Sequence, residues 1–504
     1  MPSSWAISDR RSGSLCADIS SSSAVTRSTE RTSPLSLTMV VSSARAPPRY
    51  PRHQPNGVPR LRDVRCIGPV LPAVPMLTSV PNSVPIYERR AVNAHLPLEG
   101  VTVLDLSHLA AGPWCTMLLA DLGADVVKIE RPESGDMSRQ AGSVYAEDQS
   151  AVFLSLNRNK RSVALDLKRP EGRAAFYRLA DRADAVVENL RPGKAAALGV
   201  DRPALAERNP GLVYVSISAF GADGPYANLA GNDPIIQALS GAMAITGEEH
   251  GPPARQGVSV PDFAAGMLAA QAVLAGLVGR DRHGEGSQVD LNLLDAEVFA
   301  LGPRAQEYLI NGEDQPRLGS AHPQFSPYQA FRCADGEYVY ISIINDKFWR
   351  LLCQALDRPD LLADPGYATN RDRVVRRREL AELLEATFAD RASDRWLAVL
   401  HKAGVPCAPV NTLSQAMTDS QVVHNDIVTE VDHPTLGTLR TLAAPMRFDG
   451  VRPPVRDAPP LLGADTRAVL RESGLDDDEI GALVSSGVAA EAASIVVGRG
   501  EVAR

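Results

Sequence analysis

The stretch GVSVPDFAAGMLAAQAVLAG, residues 257–276, sets a single carboxylate, Asp262, just after a proline at the mouth of a long apolar run. Aspartate is a favoured helix N-cap, because its side chain accepts from the orphan N–H groups of a helix start. About 25 residues upstream lies a polar stretch, AGNDPIIQALSG, with Asn232, Asp233 and Gln237. Other arrangements that carry chemistry are missing: the sequence has no GxSxG elbow and no HExxH motif. Its six cysteines show no CxxC or Cys/His metal spacing, and its nine histidines fall mostly in loops. Asp262 and the polar stretch are the candidates that remain.

Composition narrows the class. At 504 residues the chain exceeds one ordinary domain, and its 44% hydrophobic and 22% charged content is that of a soluble protein. The net charge of −8 is divided: residues 1–95 hold twelve arginines against five acidic residues, so the body is strongly acidic. An acidic body excludes a general nucleic-acid role, which needs a basic face. Phe263–Gly279 is the one membrane-like segment, but it is slightly short for a span and rich in weakly inserting alanine and glycine. It reads as a buried helix against a sheet, with no membrane partner. Scattered cysteines suit reduced thiols and a cytoplasmic protein.

Certain elements must position the candidates. Residues 1–94 are rich in serine, proline and arginine without apolar period and read as a disordered or spurious extension. As a transit peptide they would instead place the protein in an organelle matrix. From Gly100, GVTVLDLS, DVVKIE, SVALDLK, DAVVENL and GLVYVSISAF are short strands separated by helical segments such as RPEGRAAFYRLADRA, with Pro170 in its first turn. This alternation indicates an α/β fold with a doubly wound parallel sheet. Neither GxGxxG nor GxxxxGK follows the first strand. We divide the remainder into a large domain (95–305), a linker (306–320), a smaller α+β domain (321–425) and a C-terminal return to the large domain (426–504). In the small domain FRCADGEYVYISI is a hairpin, Leu380, Leu383, Leu384 and Phe388 form one helix stripe, and Ser393 and Gly404 cap and end the next helix. TRAVLRESG is the expected final helix.

The ordered motifs GVTVLDLSHLAAGPWCTMLLADLGADVVKIERPESGDMSR, NRNKRSVALDLKRPEGR, ADAVVENLRPG, SISAFGADGPYA, VPDFAAG and PLLGADT resemble the family III CoA-transferases, also called the CaiB/BaiF family. The resemblance runs from about Gly100 to Gly474. It implies transfer of coenzyme A from an acyl-CoA to a small carboxylic acid, with Asp262 as nucleophile. A carboxylate of ordinary pKa, about 4, is ionised at pH 7 and needs no general base. Aspartyl anhydride and aspartyl-CoA thioester intermediates follow, and each step conserves an activated acyl bond, so no permanently bound cofactor or metal is implied. Backbone N–H groups at the helix start can hold an oxyanion, and Ala264, Ala265 and Gly266 leave room for the acyl group. The resemblance carries coenzyme binding to Arg131, Leu165, Lys168, Asn189 and Arg191, and reaction-site lining to Asn232 and Asp233. It implies a Rossmann-like large domain and an interlocked homodimer.

Departures bear on substrate. Ala110 stands where the formyl-transferring branch has glutamine, and RLGSAHPQFSPY replaces its glycine-run loop, a pattern closer to branches that use succinyl-CoA or larger acyl groups. The alternatives are an α-methylacyl-CoA racemase, whose acid/base histidine is matched by Asn232, and a non-catalytic CoA-binding protein. Because residues 1–94 lack the apolar content to join a core, a chain beginning at residue 95 should fold and keep full activity. An insoluble or inactive truncation would show that the segment contributes.

Overall fold

The β-branched runs after Gly100 become the strands of one sheet. In chain order the elements are β1 (Thr102–Asp105), α1 (Ala111–Asp121), β2 (Asp125–Glu130), β3 (Lys160–Leu165), α2 (Pro170–Ala180), β4 (Ala185–Glu188), β5 (Val213–Ser218), α3 (Asp233–Leu239), α4 (Val260–His283), β6 (Gln288–Asn292) and α5 (Leu293–Ala300). The computed structural model describes residues 95–492. The N-terminal extension with Cys16 and Cys66, and residues 493–504 of the C-terminal return, lie outside the described residues.

β1 to β6 pair in parallel in the order β3-β2-β1-β4-β5-β6. Helices cover both faces. α2 packs with aliphatic residues of the C-terminal segment on one side, around Phe176, Val163 and Leu470. α1 and α4 cover the other, around Val103, Leu119, Ala269 and Val273. Strands buried on both faces need continuous apolar runs, which is why these segments stood out in the sequence. Pro170 occupies the first turn of α2, where a missing N–H costs little. α4 is long and apolar enough to cross a membrane, yet Ala265, Ala269, Val273 and Leu277 are buried against the sheet layer. β6 was not legible: QVDLN is half polar, as an edge strand tolerates.

A separate three-stranded antiparallel sheet follows, with β7 (Tyr328–Arg332), β8 (Tyr338–Ser342), α6 (Arg377–Phe388), α7 (Ser393–Ala403) and β9 (Cys407–Pro409). β7 and β8 form the hairpin around Ala334-Asp335-Gly336. Leu380, Leu384 and Phe388 are fully buried in its core. Ser393 is not a cap but the first residue of α7. Its N–H and hydroxyl both donate to Asp335, at 2.8 Å each, so the hairpin turn caps the helix. Gly404, at φ +73°, ends it as expected. Cys115, Cys333, Cys353 and Cys407 are free thiols.

GTLRTLAAPMRF contributes β11 (Gly437–Leu442), paired with β10 (Val428–His433). TRAVLRE forms α8 (Thr466–Glu472), which is not the final helix. α9 (Asp477–Ser485) follows, started by a reciprocal capping box between Asp476 and Glu479. The chain then adds β12 (Ala489–Ala490) antiparallel to β3 at the sheet edge.

Beneath the carboxyl ends of β1 and β2 four fully buried charges meet. Lys128 ion-pairs with Asp136 at 2.8 Å and Asp105 at 3.5 Å, and Lys160 reaches Asp105 at 3.1 Å. Burial alone would neutralise Asp105, but the two ammonium groups outweigh it and hold its carboxyl below the usual range. Burial, followed by the nearby Lys128 charge, lowers Lys160 to about 8 against the pull of Asp105. Breaking such a set leaves an uncompensated buried charge. Lys128→Met should therefore cost about 3–5 kcal/mol, read as a lower denaturation midpoint at unchanged m-value.

Candidate active site

The loops that leave β1, β2, β3, β4 and β5 at their carboxyl ends enclose one cavity of about 700 Å³. It lies where strand order reverses between β1 and β4, the crevice in which open α/β sheets bind ligands. Each strand brings its own residue: Arg131 after β2, Leu165 and Lys168 at and after β3, Asn189 and Arg191 after β4. Asn232, before α3, and Asp262, in the first turn of α4, complete the wall. Seven sequence candidates thus face one space; the eighth, Asp233, is buried beside it.

Asp262 does not cap. α4 begins at Val260 with Ser259 at the cap position, and the Asp262 side chain accepts no hydrogen bond. Its carboxylate is half-buried and open to the cavity. Burial, reinforced by the neighbouring Asp233 charge, pushes it up to about 7. The expectation of an ordinary carboxylate is therefore corrected: its surroundings favour the protonated form far more than water does. The oxyanion role expected of the helix start also fails. The Val260 N–H donates to Val258, Pro261 has none, the Asp262 N–H supports Asp233, and the Phe263 N–H donates to Ser259.

The small residues after Asp262 have a different task from the one expected. Ala265 and Gly266 are buried against α1, and a Cβ at Gly266 would stand 2.6 Å from the Ala111 carbonyl oxygen. Only glycine lets the turn bearing Asp262 sit directly on the start of α1. Trp114 of α1 and Phe263 complete the seam with ring centroids 4.7 Å apart.

Asp233 opens α3 and is not a side-chain cap; it accepts from Gln237 Nε2 at 2.8 Å. Gln237 in turn accepts from the Gln256 N–H at 2.9 Å, and Arg255 stands 3.9 Å from Asp233. Burial still leaves Asp233 raised. Asn189 points its amide at protein: Oδ1 accepts from the His108 N–H at 2.8 Å, and Nδ2 donates to the His108 carbonyl at 2.7 Å. It braces the wall while remaining on the cavity lining.

Arg131, Lys168 and Arg191 have exposed side chains that make no hydrogen bond or ion pair among the described residues. Lys194, which the sequence reading missed, joins them on the lining. The run RPGK, two cations within four residues after a strand, was its visible signal. Ala110 lines the cavity, whereas the RLGSAHPQFSPY loop does not; there His322 stacks on Tyr328 at 4.8 Å. Among the described residues no cluster of metal-ligating side chains occurs.

Residues 98–466 match the family model of CoA-transferase family III. The chain belongs to that family. The transferase is 41% identical to succinyl-CoA:glutarate CoA-transferase of Mus musculus over 78% of this chain and 90% of the relative. It is 38% identical to succinyl-CoA:mesaconate CoA-transferase of Haloarcula hispanica over 75% and 96%. A CaiB/BaiF family protein from Brucella suis superposes with a TM-score of 0.68 at 36% identity, covering 75% of this chain and all of that one.

The raised carboxyl carries a pH signature. If the transferase needs ionised Asp262, kcat/KM should climb with pH through about 7. Asp233→Asn removes one of the two causes, so the midpoint should move lower. The folded value exceeds the ordinary 3.8, so Asp262 costs folding stability as pH rises from about 4 to about 7. Asp262→Asn should flatten that part of the stability profile.

Proposed function

We propose that this enzyme moves coenzyme A from succinyl-CoA to a dicarboxylic acid through covalent intermediates on Asp262. The observation that carries the reading is a carboxylate without hydrogen-bond partners, open to a cavity whose lining also bears four unpaired cations. Coenzyme A has a 3′-phosphate and a diphosphate for Arg131, Lys168, Arg191 and Lys194 to engage, and its thioester would lie at Asp262. The names of both succinyl-CoA-using relatives support the donor, and Ala110 supports a substrate other than formyl-CoA.

In this reading an Asp262 oxygen attacks the thioester carbon, the C–S bond breaks, and coenzyme A leaves as thiolate. The thiolate then attacks the aspartyl carbonyl of the anhydride and releases succinate, leaving an aspartyl-CoA thioester. The acceptor carboxylate repeats these two steps in reverse and departs as the new acyl-CoA, restoring the Asp262 carboxylate. Bonds and charge balance at each stage, with no net proton uptake. Partial desolvation helps, because a weakly hydrated carboxylate sheds less water on attack, and positioning in such a site is worth about 7–11 kcal/mol at its upper limit. The same reading takes the enzyme as a cytoplasmic, interlocked homodimer. Phe299, Leu309 and Ile310, each more than 70% exposed in the single chain, support a covering partner.

Incubation with succinyl-CoA followed by hydroxylamine or borohydride should mark the peptide containing Asp262. Asp262→Ala and Asp262→Asn should each lower transfer by about a thousandfold or more while leaving the fold intact. Label on another residue, or an Asn variant that turns over without deamidating, would remove Asp262 from the mechanism.

A further inference from the structure

Gln237 lies one helical turn after Asp233 on α3, a spacing that puts both side chains on one face. It is fully buried, off the cavity lining, and uses both ends of its amide. Oε1 accepts from the Gln256 N–H at 2.9 Å, and Nε2 donates to an Asp233 oxygen at 2.8 Å. A backbone N–H can only donate, so the Gln256 contact decides which way the amide faces. Nε2 is thereby committed to Asp233, where its bond favours the charged carboxylate over the acid. A neutral amide supplies one donor and one acceptor; an ionised glutamate would supply acceptors alone.

The Gln256 end of this bridge matters for placement. α4 starts four residues later and carries Asp262 in its first turn. Upstream, the Ala254 N–H donates to the Thr246 carbonyl at 3.0 Å and Arg317 to the Gly251 carbonyl at 2.9 Å. Gln237 is what ties this segment to α3. The Asp233 end matters for charge. Around Asp233 stand Asp262 of α4, Glu297 of α5, whose Oε2 is buried without a partner, and Arg255 at 3.9 Å. Burial and then the Asp233 charge raise both Asp262 and Glu297. Among the described residues, Gln237 is the one side chain that hydrogen-bonds Asp233.

We propose that Gln237 is a positioning residue for the reaction: its amide bridge sets the Asp233 carboxylate against Asp262 and ties the start of α4 to α3. This rests on the reading of Asp262 as the attacking group. Being off the lining, Gln237 acts through Asp233 and the backbone, not on the ligand.

The test reads Asp262 ionisation apart from turnover. A water-soluble carbodiimide reacts with the protonated acid, so labelling of the Asp262 peptide, followed by mass spectrometry, gives a pH midpoint near the raised value of about 7. Gln237→Met removes donor and acceptor at similar volume. Asp233 then holds its proton to higher pH and repels Asp262 less, so the midpoint should fall by about half a unit. In the Asp233→Asn background the same substitution should move it by less than about 0.2 unit. In the Asp233-containing enzyme, kcat at the pH plateau should also fall about tenfold, because the start of α4 is no longer tied. An unmoved midpoint, or equal shifts in the two backgrounds, overturns the proposal while leaving Asp262 as the nucleophile. If the methionine variant does not fold, Gln237→Glu keeps the shape and the acceptor for Gln256. Its second carboxyl beside Asp233 should raise the midpoint by about half a unit, and no rise overturns the proposal. An Asp262→Asn enzyme that still turns over without deamidating overturns the nucleophile reading and, with it, the role of Gln237 in the reaction.

Discussion

The site hangs on the buried charge set formed by Asp105, Lys128, Lys160 and Asp136. Two ammonium groups and two carboxylates without water are tolerated only when every charge has partners, and here each does. Lys160 also donates to the Pro113 carbonyl and Asn157, at 2.9 Å each, and Asp105 takes the Thr116 hydroxyl at 2.8 Å. The set ties β1, β2 and β3 to the start of α1. Because Lys128 and Asp136 spend further bonds on the loop after β1, the rigidity of the sheet passes directly into the cavity wall.

A second constraint acts from above. Gly266 lets α4 settle on α1 at backbone contact, and that closeness sets where the first turn of α4, and so Asp262, can be. Its carboxylate is then partly stripped of water and placed beside Asp233, which raises it to about 7. A carboxylate raised in this way is charged less often than an ordinary one but is more basic once charged. A donor that brings its own negative phosphates also needs attraction, which the four unpaired cations can supply. The cavity lining combines basic side chains that follow β2, β3 and β4 with apolar side chains and the Asp262 carboxylate.

The motif order after Gly100 was enough to place the chain in its family, and the β-branched strands and the RPEG helix start follow from local demands on the backbone. Elements missed were those without such demands. β6 is half polar at the sheet edge, and β12 is two alanines whose strand character comes wholly from pairing with β3. Ser393 carries a capping residue type, but Asp335, distant in sequence, does the capping.

The sequence, through its resemblance to the family, marked a carboxylate at position 262 and cations at 131, 168 and 191 as the groups worth watching, since charge is a property of the side chain. Ionisation, orientation and partnership are properties of surroundings, and only the tertiary structure decided them. It raised Asp262, consumed the helix-start N–H groups, tied the Asn189 amide to the His108 backbone, and added Lys194 to the lining. It also fixed the loop after β1 by hydrogen bonds from the His108 N–H to Asn189, 81 positions away, and from the Leu109 N–H to Asp136. No local sequence rule reports bonds of that range, because they exist only once the strands have come together.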